Sequence, residues 1–391
     1  MRQRILPSRP VVMHVAPGHY AADARLFHLE CAVLEKAGYQ VELVARSTEG
    51  TQLNSSVNFH AVGALDRHSW RWQLFDRFRR SHRAYRIARR SKASLFHVHS
   101  PEFIRWGIRL GRNLHRKVVF DCREDYEGWA LWRPGIPDFL RESLAVLIGR
   151  QLEWAARNCD ALIVADQATA DRFQEHATRT LLLHNFPRLD LFPYKGPQGE
   201  EKIFDVVFHG IMPRRFMELC LGIDDVLSQQ GHKIRWRLIP KEASPDIDMT
   251  WLRDELLRRN ARQRFFIDGQ IPHDRIADEV SKGKIGIILL PNVQKYQKNI
   301  PRKLFEFMAL GMPVVLGDLP PTRPFVSHER NALLVPPEDC RAYAAAISRL
   351  LDDPTLCRMM GAEGRRLVEN EYNWESESQK LLNLYSELLK S

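Results

Sequence analysis

Residues 301–315 read Pro301-Arg-Lys303-Leu-Phe-Glu306-Phe-Met-Ala-Leu-Gly311-Met-Pro313-Val-Val315. Proline is favoured in the first turn of a helix, where its missing N–H costs nothing. Gly311 ends that helix and Pro313 opens a β-branched strand. Upstream, Ile285–Leu290 is a buried strand and 291–300 a polar loop. A helix N-terminus aimed into a cleft offers unpaired N–H groups and a positive dipole end, which suit a diphosphate. Lys303 adds a mobile cation, and Glu306, three residues on, shares its face. A carboxylate there can accept hydrogen bonds from two neighbouring ribose hydroxyls. Spacing alone reads equally well as a surface ion pair between Lys303 and Glu306, worth under about 1 kcal/mol.

Outward from this segment, short β-branched runs alternate with helical patterns. Val11–Ala16 reads as a strand, Asp23–Ala37 as a helix closed by Gly38, and Val41–Ala45 as the next strand. Leu95–Val98, Val118–Asp121 and Leu162–Ala165 repeat the form. The rhythm pauses over 185–202, with prolines 187, 193 and 197, and restarts with strands at Asp205–Phe208, Ile234–Ile239, Phe265–Asp268 and Val314–Leu316. Such alternation predicts an α/β protein of two Rossmann-like, doubly wound domains. The expected division is 1–190, 191–372 and a final helix within 373–391. Ligands of such sheets bind at the carboxyl ends of the strands, so the site is expected in a cleft between the domains.

With 391 residues, 44% hydrophobic and 27% charged, the composition is that of an ordinary soluble protein. No apolar run approaches the roughly 20 residues that span a bilayer. Val11–Ala16 is too short for a signal-peptide core, so a cytoplasmic location is expected. The six cysteines are scattered without a metal-binding spacing and read as reduced thiols. The net charge of +10 calls for an anionic partner: a nucleotide diphosphate, an anionic membrane face or nucleic acid. Between Arg67 and Lys92, ten basic residues meet one acid, Asp76, with aromatics interleaved. Leu74, Phe78, Tyr85 and Ala88 fall on one helical face there. That pattern suits either an anionic membrane surface or a solvated helix packed on its domain. No recognised nucleic-acid motif accompanies it, so no nucleic-acid partner is expected.

Other constellations follow strand ends. Gly210 permits a tight turn after Asp205–Phe208, and Arg214 and Arg215 beyond it can clamp a diphosphate or sit in water. His97 and His99 are two apart on one strand and share a face, but the sequence identifies no third metal ligand for them. Asp121, Glu124 and Tyr126 can bind acceptor hydroxyls, supply a base, or merely begin a helix. Asp246-Ile-Asp248 spells a metal-binding D-x-D, but it precedes a helix over about 250–260 and reads as a cap.

Pro301-x-Lys303-Leu-Phe-Glu306-Phe-Met-Ala-x-Gly311-x-Pro313-Val-Val resembles the donor-site signature of the family-four retaining glycosyltransferases of GT-B fold. The resemblance continues at Asp23-Ala-Arg25, at Phe96-His97-Val-His99, at Asp121-Cys-Arg-Glu124-Asp-Tyr126, at the glycine turn Gly210 to Arg215, and at Tyr372-Asn-Trp374. It implies a metal-independent hexosyltransferase using a nucleotide sugar, a UDP-sugar first, and no cofactor. It places Gly210, Arg214, Arg215, Lys298, Asn299, Ile300, Lys303, Leu304 and Glu306 at the donor. His99, Arg215 and Lys303 become the catalytic groups, and Gly18, Asp23, Arg25, Asp121, Glu124 and Tyr126 the acceptor side. It also implies that the last helix crosses back to the first domain. The acceptor is expected to be a glycan, lipid-linked at the inner face of the plasma membrane, as in surface-polysaccharide assembly. Two positions depart from the family. Lys298 stands where many members carry a first glutamate, and Arg123 stands where they carry a histidine. A sugar-nucleotide epimerase and an inactive GT-B scaffold subunit are the rival readings.

Overall fold

The computed structural model describes residues 9–47, 55–63, 70–132, 136–196, 201–240, 249–269, 271 and 275–390. The chain divides into two units, Met1–Asn185 with Ser376–Ser391, and Phe186–Glu375.

The first unit opens with β1 (Val11–Tyr20), a π-helix (Ala24–Cys31) and α1 (Ala32–Lys36). There follow β2 (Gln40–Arg46), β3 (Asn58–Ala61), α2 (Trp70–Ala88), β4 (Leu95–Val98) and α3 (Ile104–Leu114). Next come β5 (Lys117–Cys122), α4 (Tyr126–Trp132), α5 (Asp138–Asn158), β6 (Ala161–Val164), α6 (Gln167–Phe173) and β7 (Thr180–Leu182). The sheet is parallel, in the order β3-β2-β1-β4-β5-β6-β7. The chain reverses its winding direction between β1 and β4, which marks a topological switch point.

Alternation along these strands separates two faces. Met13, Val15, Phe96, Val98, Phe120 and Cys122 join α2, α3 and α5 in an apolar core. The opposite face carries His14, His97, His99 and Asp121, all fully buried. The expected continuous helix over Asp23–Ala37 is instead π-helical in its first half, capped by Asp23 accepting from the Leu26 amide. The i→i+5 pattern brings residues five apart onto one face, and Arg25 Nε there donates to Glu30 Oε1 at 2.8 Å. On α2, Ala84 and Ala88 are buried while Phe78 is exposed, its ring edge on Trp106 at 5.6 Å. Of the expected common face, Ala88 is buried and Tyr85 packs against the core, while Phe78 is exposed.

The second unit holds β8 (Phe204–Gly210), α7 (Arg214–Gln229), β9 (Trp236–Pro240), α8 (Met249–Arg258) and β10 (Phe265–Ile267). It continues through α9 (Ile276–Val280), β11 (Gly283–Ile288), α10 (Arg302–Ala309), β12 (Val314–Gly317), β13 (Leu333–Val335), α11 (Cys340–Asp352) and α12 (Pro354–Asn370). Its parallel sheet runs β10-β9-β8-β11-β12-β13, with the switch between β8 and β11. Asp246 and Asp248 lie outside the described residues.

The last helix, α13 (Trp374–Lys390), belongs from Ser376 onward to the first unit. Its Tyr385 is fully buried, with the hydroxyl 2.8 Å from His97 Nδ1. Glu377 on the same helix accepts from the His184 amide at 2.8 Å. No helix among the described residues is long and apolar enough to cross a membrane.

Candidate functional site

In the second unit, β8 and β11 are hydrogen-bonded neighbours, and each leads into a helix. After β8 the chain turns at Gly210, whose φ of +126° excludes other residues without strain. It enters α7 at Arg214, behind Pro213. After β11 it enters α10 at Arg302, so Pro301 is the residue that flanks the helix rather than its first turn. Two helix N-termini thus follow adjacent strand ends, an arrangement that favours an anion. Lys303 folds directly over Gly210, where any Cβ would run into its ammonium end. That ammonium also stands 5.7 Å from the centre of the Phe208 ring.

The α10 helix is buried on most sides. Leu304, Phe305, Phe307 and Met308 pack with Val207, Ile288, Val314 and Leu316. Leu304 is thus a core residue with no side-chain surface for a donor. The helix stops in a Schellman turn: Gly311, at φ +64°, donates to the Met308 carbonyl and Met312 to that of Phe307. Glu306 sits within this apolar helix at 2% exposure. Its carboxylate takes Arg302 Nε at 2.7 Å and faces His209 Nε2 at 3.4 Å. The sequence pairing of Glu306 with Lys303 overlooked both. Arg302 lies at helical i,i+4 spacing and was legible; His209 needed the β8 register.

The two arginines after Gly210 are engaged with acids. Arg215 pairs with Glu338, and Arg214 with Glu218 at 3.0 Å, its guanidinium 4.4 Å from the centre of the Trp251 ring. Their side chains are more than half exposed, 53% and 56%, so exchange for a phosphate costs no more than about 1 kcal/mol per pair. Lys298 is exposed, while Asn299 and Ile300 are half-buried just ahead of α10.

In the first unit, the residues assigned to the acceptor and to catalysis separate. His99 and Asp121 are at 0% exposure and Arg25 at 3%. They bind one another. Arg25 donates to both Asp121 oxygens, at 3.1 and 3.2 Å, and to the Leu183 carbonyl at 2.9 Å. Burial opposes ionisation of Asp121, yet Arg25 and His99 hold its carboxyl well below the usual range. An ionised Asp121 only accepts, so His99 Nδ1–H donates to it across 3.1 Å. His99 Nε2 is then the acceptor for His14 Nδ1–H at 2.9 Å. Burial pushes His99 down to about 3, which leaves the imidazole neutral. The sequence missed His14, Glu30 and Tyr385; the only signal was a histidine inside the apolar run Val11–Ala16.

Glu30 completes the layer from the π-helix. Its Oε2 lies 3.8 Å from His14 Nδ1 and 3.7 Å from both His97 Nδ1 and His99 Nε2. Burial, then the charge of Asp121, pushes its carboxyl up to about 8. At the rim, Gly18 donates to Ser100 Oγ at 3.1 Å, and Asp23 pairs with Arg123 at 3.0 Å. Glu124 is exposed, and Tyr126 reaches the His99 carbonyl at 3.4 Å. Of the acceptor set, Gly18, Asp23, Glu124 and Tyr126 remain at or near the surface.

The profile described as Glycosyltransferase Family 4 matches residues 24–186, and that described as Glycosyl transferases group 1 matches 205–353. Together they cover most of both units. The chain belongs to glycosyltransferase family 4. Its two parallel α/β units are those of GT-B structures. Sucrose-phosphate synthase from Thermosynechococcus elongatus superposes with a TM-score of 0.75, at 20% identity, over 98% of this chain and 100% of that one. HepE of Anabaena, solved with UDP-glucose, gives 0.70 at 14% identity over 97% of this chain and all of its own. Among curated relatives, the α-D-kanosaminyltransferase of Streptomyces kanamyceticus is 27% identical over 130 residues, 33% of this chain and 32% of the relative. An exopolysaccharide phosphotransferase of Streptomyces coelicolor is 27% identical over 219 residues, 54% of this chain and 22% of the relative. The matches thus span a third or less of either curated relative.

Proposed function

We propose that the chain transfers a hexosyl unit from a UDP-sugar to a hydroxyl of a glycan, with retention of anomeric configuration. The observation that carries this reading is Lys303 lying over Gly210 where α7 and α10 begin, with Glu306 buried one turn further on. The amides, Lys303 and a released Arg215 stabilise charge growing on the departing diphosphate. The sugar C1–O bond to phosphate breaks, the bond to the acceptor oxygen forms on the same face, and the acceptor proton passes to the phosphate. Such a route needs no enzyme nucleophile, only positioning. HepE, bound to UDP-glucose, makes UDP the first base to test.

Thermal shift with UDP, GDP and dTDP tests the donor site. UDP is expected to raise the melting temperature most. Glu306→Ala, which removes two charge-assisted hydrogen bonds to ribose, is expected to weaken UDP binding by about 10–100-fold. An unchanged shift in that variant removes the ribose role, and no shift with any nucleotide removes the donor site. Lys298 favours one rival, an inactive binding subunit; product analysis with a UDP-sugar and acceptor separates it from a transferase, and UDP-sugar with water alone reveals an epimerase.

The acceptor we take to be a lipid-linked glycan of surface-polysaccharide assembly. Exposed Phe75 and Phe78 among the arginines of α2, and exposed Phe139, Val146 and Leu147 on α5, support contact with an anionic membrane. Binding to anionic vesicles is expected to fall with added salt and with neutralisation of Arg77, Arg79 and Arg83. Salt-insensitive binding would refute this.

A further inference from the structure

The polar layer of the first unit is itself a donor set. His14, Glu30, His97 and His99 each point one ligand atom into a common space, all four atoms within 4.8 Å of one another. The strands account for the convergence. His14 on β1 stands opposite His97 on β4, and His99, two residues on from His97, presents the same face. The π-helix delivers Glu30 from above. No α-helix would align Glu30 with Arg25 in this way, and π-turns recur at functional sites.

One of the four ligand atoms, Glu30 Oε2, is fully buried and has no hydrogen-bond partner, so a buried carboxylate oxygen faces the three imidazoles unsatisfied. We propose that His14, His97, His99 and Glu30 bind a divalent transition cation of the zinc class, as a closed structural site. Tetrahedral zinc with nitrogen ligands at about 2.0–2.1 Å sets ligand–ligand separations near 3.3 Å. The distances here, 2.9 Å from His14 Nδ1 to His99 Nε2 and 3.7–3.8 Å from Glu30 Oε2 to the three imidazoles, bracket that value. The separations of His97 from the other two imidazoles lie within 4.8 Å, so its ring must move by about 1 Å to complete the geometry.

The outer partners also fit. Asp121 fixes His99 through Nδ1, leaving Nε2 for the cation, and Arg25 holds the other oxygen of Glu30. Tyr385 is the competing group, because its hydroxyl sits at His97 Nδ1; it must yield, or the His97 ring must turn to offer Nε2. Complete burial leaves no open position for water or substrate, so the cation would pin β1, β4 and the π-helix together rather than act on sugar.

The test uses the full chain. Protein treated with chelator and dialysed is titrated with Zn²⁺ and, separately, Co²⁺. The expected result is one cation per chain, a higher melting temperature with Zn²⁺, and the intense visible bands of tetrahedral Co²⁺. Glu30→Gln is expected to lower affinity at least tenfold, while Tyr385→Phe retains the site. Loss of cobalt bands in the wild-type chain, with no melting shift on zinc addition, would overturn the proposal even if the Glu30 variant does not fold. Equal cobalt spectra in wild type and a folded Glu30→Gln variant would overturn it too.

Discussion

Lys303→Met is expected to lower the transfer rate by about 10²–10³-fold and leave the melting temperature of the free chain nearly unchanged. A single well-placed donor to a developing oxyanion is worth that much in water-poor surroundings. Methionine keeps the length and apolar stem of lysine, so packing against Phe208 survives while the charge does not. Gly210→Ala attacks the same contact from the other side. Its Cβ would meet the Lys303 ammonium end, and its backbone is held at a φ of +126°. Steady-state kinetics on both variants should therefore show a fall in kcat. If Lys303→Met alters only stability, the residue is a structural neighbour of Gly210 and nothing more.

The largest expected effect on stability comes from Asp121→Asn, at about 3–5 kcal/mol, read by urea denaturation. Arg25 is 3% exposed and depends on the Asp121 carboxylate for its counter-charge. Breaking one side of a buried pair strands the other charge, which costs far more than the pair is worth intact. Arg25→Met combined with Asp121→Asn should recover part of the loss, since neither leaves a charge behind. A loss below about 1 kcal/mol in the single variant would show that Arg25 is satisfied by Glu30 and the Leu183 carbonyl alone.

The sheets were legible because apolar strands of a parallel sheet stand out from the polar helices between them. The edge strands β3, β7 and β13 were not, since runs of three or four residues carry little pattern, although the edge strand β10 was. Residues 301–315 announced the donor side because local spacing fixes a helix terminus. His209 stayed hidden, since its tie to Glu306 runs between β8 and α10. The first unit shows the limit more sharply. Asp121, His99 and Arg25 lie far apart in sequence, and each has a plausible surface role read alone. Only the strand register of β1, β4 and β5 turns them inward on one another. The π-helix was unforeseen because its residues have ordinary helical propensities; Arg25 and Glu30 select it through a contact five residues apart.

Tyr385 has a bearing on biosynthesis. It arrives from a helix translated only after the whole of the second unit, yet it covers the histidines of the first. While the ribosome is still reading the segment between, His97 lacks the cover that Tyr385 gives it. Final locking of the first unit is thus postponed until Ser376–Lys390 emerges. A nascent chain stalled before that point would remain protease-sensitive in its oldest half.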